Sequence, residues 1–251
     1  MTAPEKRALI TGGAHRVGRA IATDLAAHGY DVAIHANTSA TAAQALADEL
    51  AANHSGRTAV VTGDLADPAA VAAIVPAAVA ALGPLSLLIN NASVFEGDAL
   101  SDMTPERWRR QMAVNAEAPA FLAQAFAAST DTGLIVNIID QRVWKPTPRH
   151  FSYSASKATL WWLTRTMAQA LAPKIRVMAI GPGPVLKAAA QSEADFAEAV
   201  AAVPLQRAPA LAEFGAAIRF MAATPSMTGQ MLALDGGQHL AWQTPDALIN
   251  E

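Results

Sequence analysis

Seven short apolar runs recur along the chain, at about 7–11, 31–35, 57–61, 85–90, 134–139, 174–180 and 230–234, a length and make-up that read as strands. Between them lie alanine-rich stretches with helical spacing. Strands that alternate with helices in this way close as a parallel sheet with helices on both faces. No repeat, low-complexity segment or Pro/Gly/Ser linker breaks the pattern. The polar and glycine residues that interrupt it fall at the carboxyl ends of the strands, where ligands bind such sheets. The expectation is an α/β fold over 1–251, one domain with one site.

The first strand runs directly into Gly12-Gly13-Ala14-His15-Arg16-Val17-Gly18, and Ile21 and Leu25 follow on the inner face of a helix. Backbone N–H groups and the helix dipole both face an anion at such a turn. The glycines would serve a tight β–α turn equally well without any ligand. The second strand ends in His35-Ala36-Asn37-Thr38-Ser39. Dinucleotide folds place their ribose discriminator here, and an acidic side chain would bond the 2′-hydroxyl of NAD. No Asp or Glu lies between Val32 and Gln44. Arg16, His35, Asn37 and Ser39 are left to meet a 2′-phosphate, which favours NADPH over NADH.

Asp64-Leu65 follows the third strand, where a carboxylate either meets an adenine amino group or, with Asp67, caps the next helix. Asn90-Asn91-Ala92-Ser93-Val94-Phe95 ends the fourth. Its paired amides read as ties between sheet and cofactor or as loop-closing turns. Thr104-Pro105-Glu106 starts a helix that is expected to continue through Trp108, Met112, Asn115 and Phe121 to about 128. Asn115 interrupts its apolar stripe, and a buried amide needs partners. It is either a satisfied core group or a tether near an active centre.

The fifth strand leads to Asp140 and then to a helix starting near Ser152. Tyr153 and Lys157 are four apart and share a helical face. A nearby ammonium would lower the tyrosine pKa toward working pH, although such a pair can equally be an ordinary surface pair. Trp161 and Trp162 face about 100° apart on that helix, so at least one is expected at the surface or in a subunit interface. Gly181-Pro182-Gly183-Pro184-Val185 forms a rigid turn at the next strand end. Residues about 187–207 read as a helical flap.

Hydrophobic residues make up 52% and charged residues 16% of the chain, enough apolar side chains for a sizeable core. A net charge of −3 gives no reason to expect nucleic acid or an acidic membrane as partner. With no cysteine, disulfides and thiol nucleophiles are excluded, and the six histidines show no metal-ligand spacing. No run is apolar enough to span a membrane, and the chain enters its first strand almost at once. The expectation is a cytoplasmic protein without signal peptide or metal.

Taken in order, TGGAHRVG, Asp64-Leu65, NNAS, Asn115, YSASK, GPGPV and LALDGG resemble the short-chain dehydrogenase/reductase family over nearly the whole chain. The resemblance implies a Rossmann-type, doubly wound sheet of about seven strands, with the nucleotide-binding part over about 1–130. It implies a nicotinamide cofactor held by Gly12, His15, Arg16, Val17, Gly18, Asp64, Leu65, Asn91, Ala92, Ser93, Pro182, Gly183 and Val185. Its catalytic centre would be Tyr153, Lys157 and Asn115, with Lys157 also on the nicotinamide ribose. Members are commonly homotetramers.

Two departures narrow the resemblance. The family's glycine turn usually reads TGxxxGxG, and its middle glycine is here Arg16. The usual serine after the fifth strand is here Asp140. Pteridine reductases share both departures, and are similar also in the histidine after the second strand and in NNASxF. By that resemblance Phe95 stacks a flat pterin, with Ser93 and Arg16 as polar contacts. Reduction of a pterin C=N bond needs hydride at carbon and a proton at nitrogen, which Asp140 in a desolvated site could donate or relay; Asp140 could also merely hold Tyr153 or cap the next element. The expected function is an NADPH-dependent pterin or folate reductase. The alternatives are a carbonyl reductase of the same fold or a non-catalytic NADPH-binding sensor.

Overall fold

The apolar runs pair side by side, all in parallel. β1 (Arg7–Ile10), β2 (Asp31–Ala36), β3 (Thr58–Thr62), β4 (Leu87–Asn90), β5 (Gly133–Ile138), β6 (Ile175–Pro182) and β7 (Met231–Leu234) make one seven-stranded sheet in the order β3-β2-β1-β4-β5-β6-β7. The computed structural model describes residues 6–187 and 191–242. Residues 188–190 of the expected flap lie outside the described residues.

Alternation along each strand sorts the core into two layers. Ala8 and Ile10 face one side, against Ile21 and Leu25 of α1 (Arg16–Ala27), Leu46 and Leu50 of α2 (Ala40–Asn53), and Phe214 and Ile218 of α8 (Leu211–Ala223). Leu9 faces the other, against Ile74 of α3 (Pro68–Leu82) and Leu122 and Phe126 of α5 (Ala118–Ser129). α6 (Phe151–Leu171) joins that second layer through Ala168. Each leucine, isoleucine or phenylalanine among them, taken fully from water, stabilises the fold by about 1.5–3 kcal/mol. Because both faces are anchored, the sheet is a rigid base for whatever its strand ends carry.

Strand order reverses at β1, which lies between β2 and β4, so a crevice opens at the carboxyl ends of β1 and β4. Thr11 closes its floor. The Thr11 hydroxyl accepts from the N–H groups of Asn91 (2.9 Å) and Ala92 (3.0 Å), and Asn91 Nδ2 donates back to the carbonyls of Thr11 and Gly12. Asn90, by contrast, turns into the sheet and donates to Asn137 at 2.8 Å. Of the two amides, Asn91 ties the strands at the crevice and neither makes a loop-closing turn.

The long helix expected after Thr104 runs on to Ser129, but its pitch changes midway. α4 (Pro105–Met112) is capped by the Thr104 hydroxyl, which accepts from Arg107 N–H. A π-turn over Ala113–Glu117 then precedes α5, with Ala118 N–H donating to Ala113 O. Pro119 explains the change, since it has no N–H for the carbonyl four residues back. Of the flap, the described part includes α7 (Glu193–Ala201), started by a reciprocal Ser192–Asp195 capping box and burying no side chain.

Candidate active site

At the nucleotide corner the main chain does most of the shaping. Gly12 has φ 60°, and a Cβ on Gly18 would collide with Gly12 O and the Asn91 amide; both positions are therefore confined to glycine. A pocket of about 160 Å³ opens beside them, lined by Gly12, His35, Asn37, Asp64, Leu65, Ala66, Ala92, Ser93, Val94, Arg110 and Val114. Asp64 closes a turn onto Ala66 N–H at 2.9 Å while lining that pocket, and Asp67 alone caps α3. A larger hollow of about 1010 Å³ lies at the opposite ends of the strands, around Ser86, Gly133 and Lys174, and no catalytic candidate lines it.

Two residues expected on a phosphate do other things. His35 is 1% exposed; its Nδ1 accepts from Gly12 N–H (3.3 Å) and its Nε2 lies 3.0 Å from Gly63 O. Burial, the largest influence, pushes its pKa down, so it is a neutral strut under the glycine turn and has no donor left for a phosphate. Arg16 sits at φ 51°, the left-handed region that explains why the family pattern has glycine there. Its guanidinium donates to the carbonyls of Lys187 (3.0 Å) and Leu186 (3.2 Å), tethering the start of the flap instead of reaching into the pocket. His15 and Asn37 are exposed, and Ser39 starts α2 without capping it by side chain. Val17 and Val185 pack on the first core layer, and Gly183 N–H joins Pro182 to the end of β7 through Leu234 O.

At the catalytic corner side chains meet side chains. Tyr153 O–H donates to Asp140 Oδ2 at 3.0 Å, and Arg142 Nη1 donates to the same oxygen at 2.9 Å, while Asp140 Oδ1 accepts from Arg142 N–H. Lys157, 2% exposed, donates to Ile138 O at 2.9 Å, with its ammonium 5.7 Å from the Tyr153 ring centre. Phe95, 44% exposed, meets the Tyr153 ring edge-on at 4.7 Å and stacks on His150 at 4.4 Å. Asn115 is fully buried. Its oxygen accepts from Ser93 O–H (3.0 Å) and Val94 N–H (2.9 Å), and its amide lies within 3.1 Å of Val94 O, Gln111 Oε1 and Ser156 Oγ. It fastens the 93–94 loop to α6 and does not touch Lys157.

The expected downward shift of Tyr153 is wrong for this arrangement. Its pKa is raised well above 10, first by burial, then by the charge of Asp140 and the hydrogen bond to it. A phenolate here would be unsolvated and would face a carboxylate. Burial also pushes Lys157 down to about 8, with Asp140 pulling partly back. Sequence reasoning missed Arg142, although its position two residues after Asp140 is the one signal that could have found it. It missed Thr11, Ser156 and His150 as well, whose partners Asn91, Asn115 and Phe95 lie far off along the chain, and Gln111, which meets Asn115 one turn on.

Residues 6–198 match the family model for short chain dehydrogenases. The chain is 48% identical to the FolM alternative dihydrofolate reductase 1 structures from Brucella canis and Brucella suis, both in complex with NADP. The TM-scores are 0.93 and 0.94, with 96% and 98% of this chain and 96% and 99% of those chains covered. It is 30% identical to a 3-oxoacyl-[acyl-carrier-protein] reductase of Synechocystis, over 92% of this chain and 95% of that protein. With the glycine turn, the strand-end polar residues and the Tyr153–Lys157 pair in one crevice, the chain belongs to the short-chain dehydrogenase family.

Proposed function

We propose that the protein is an NADPH-dependent reductase of a pterin or folate C=N bond, with its acting residues at Tyr153, Asp140 and Lys157. The observation that carries this reading is the Tyr153–Asp140 hydrogen bond at 3.0 Å beside the exposed Phe95 ring. Similarity to two FolM dihydrofolate reductases at 48% identity supports it. For the cofactor, the glycine turn offers backbone N–H groups at a helix start, and a pocket of about 160 Å³ opens beside it. Asn37 and Asp64 line it and would meet the adenosine end. When bound, NADPH supplies the hydride.

The chain's residues manage the proton. Tyr153 keeps its proton because burial and Asp140 both disfavour the phenolate. Tyr153 and Asp140 share one hydrogen bond and act as a relay: as Tyr153 gives its proton to the ring nitrogen it takes one through Asp140, which water supplies, so that no phenolate is left facing the carboxylate. Arg142 orients Asp140, and Lys157, fixed on Ile138 O, sets positive charge beneath the tyrosine. Phe95 presents an aromatic surface against which a flat ring can stack. Trp162, 64% exposed on α6, is an apolar surface that a subunit contact would cover, and the homotetramer itself rests on the family resemblance.

The test is NADPH consumption with dihydrobiopterin, dihydromonapterin, dihydrofolate and a 3-oxoacyl substrate. Turnover of a pterin or folate is expected, and Tyr153→Phe should lower it by about 10²–10⁴-fold with cofactor binding retained. Turnover of the 3-oxoacyl substrate alone would establish the carbonyl-reductase reading, which the Synechocystis relative favours.

A further inference from the structure

The helix that carries Tyr153 starts without a cap of its own. His150, which precedes α6, is left-handed at φ 54° and offers the first turn no side-chain hydrogen bond. The first N–H groups of a helix still need acceptors. Asp98 supplies them from a loop 54 residues away: its main-chain oxygen accepts from Phe151 N–H (3.2 Å) and its Oδ1 from Ser152 N–H (3.0 Å). Its Oδ2 accepts from the Ser152 hydroxyl. Asp98 is 7% exposed and Ser152 fully buried. The same two segments meet again where Phe95 stacks on His150.

We propose that Asp98 is a positioning residue which, by closing the start of α6 onto the 95–98 loop, fixes the Tyr153 hydroxyl relative to Asp140 and Phe95. Most helix caps lie next to their helix in sequence and secure only that helix. A cap sent from the loop that also bears Phe95 makes the two walls of the pocket one body. The carboxylate suits the place, since the helix dipole favours a negative charge there and donors satisfy both oxygens. Tyr153 is the next residue after Ser152, so slack in the clamp reaches the phenol directly. A displacement of about 1 Å at a reacting group can cost about 10²-fold in rate. The inference rests on Tyr153 handling the proton, and not on which substrate receives it.

The experiment compares Asp98→Ala and Asp98→Asn in the full chain, each with Tyr30→Phe, which leaves Tyr153 as the only tyrosine of two. Ultraviolet titration then reads Tyr153 ionisation without substrate, beside kcat, KM and NADPH affinity. Asp98→Ala is expected to lower kcat by about 10–10²-fold, to change NADPH affinity by less than about threefold, and to lower Tyr153 ionisation as its hold on Asp140 loosens. Asp98→Asn keeps an acceptor for Ser152 N–H and should restore most of the rate. Tyr153 ionisation and kcat both unchanged in Asp98→Ala, whatever its melting temperature, would overturn the proposal and leave a plain helix cap. If that variant does not fold, Ser152→Ala removes the hydroxyl bond alone and is judged by the same readouts. If no tested substrate is turned over, the titration decides by itself, so a wrong substrate assignment stays separate from a wrong clamp.

Discussion

The two corners of the site are built by different means. Around Gly12 and Asn91 most contacts end on main-chain atoms, and the polar side chains involved, Thr11, His35 and Asn91, hold main chain to main chain. Around Tyr153 side chains also bond to one another, through Asp140, Arg142, Asn115, Ser93 and Ser156, beside bonds that Lys157 and Asn115 make to main chain. A corner made of backbone depends on shape, and pH enters it through the buried His35 strut. One made of buried side chains depends on charge, and each member alters the others.

Substitutions can break this contrast or sharpen it. Asp140→Asn should have the largest effect, about 10²-fold or more in turnover, because the proton partner of Tyr153 is lost. It should also lower the ionisation of Tyr153 and of Lys157, since the carboxylate raises both. A spectroscopic tyrosine titration that does not move would show the two residues uncoupled. Gly18→Ala belongs to the other corner: forcing a Cβ against Gly12 O should cost about 1–3 kcal/mol in stability and weaken cofactor binding. Tyr153 ionisation should be unaffected there, and a shift would mean the corners are not independent.

Stability against pH gives two smaller effects. Lys157 titrates near 8 in the fold and near 10.5 when unfolded. Between those values the unfolded chain binds the extra proton, so this group makes stability rise with pH through the window, by up to about 3 kcal/mol. Lys157→Met should remove that rise, read as melting temperature against pH. His35 is also depressed, so below its ordinary value of 6.5 the unfolded chain again binds the extra proton and stability falls on acidification. His35→Gln should flatten that fall by at most about 1.4 kcal/mol per pH unit. An unchanged acid slope would show that His35 is not the group responsible.

What could be read in the sequence follows the same division. Strand runs, glycine turn and YSASK are local patterns, and the strand runs are borne out to within a residue or two at their ends. Tyr153 and Lys157 do share a helical face, yet spacing says nothing of solvent, and solvent exclusion set the direction of the tyrosine shift. His35 reads in the sequence as a contact for a 2′-phosphate, because its burial under Gly12 is a tertiary fact. Asp98 carried no signal at all, since its partner Ser152 is 54 residues on. Asn115 and Pro119 did carry one: a polar residue in an apolar stripe with a proline four residues later marks a disturbed helix.

That disturbance amounts to a change of phase. Between Met112 and Ala118 the chain holds a residue more than an α-helix would use to cover the distance, so α4 and α5 are out of step by about 100° of rotation. The surplus lets one continuous rod show Gln111 and Asn115 to the 93–96 loop while its second half keeps Leu122 and Phe126 on the sheet. Deleting Ala113 would return the rod to a regular pitch and turn the amide away from Ser93 and Ser156. The shorter protein would be the tidier helix and the poorer catalyst.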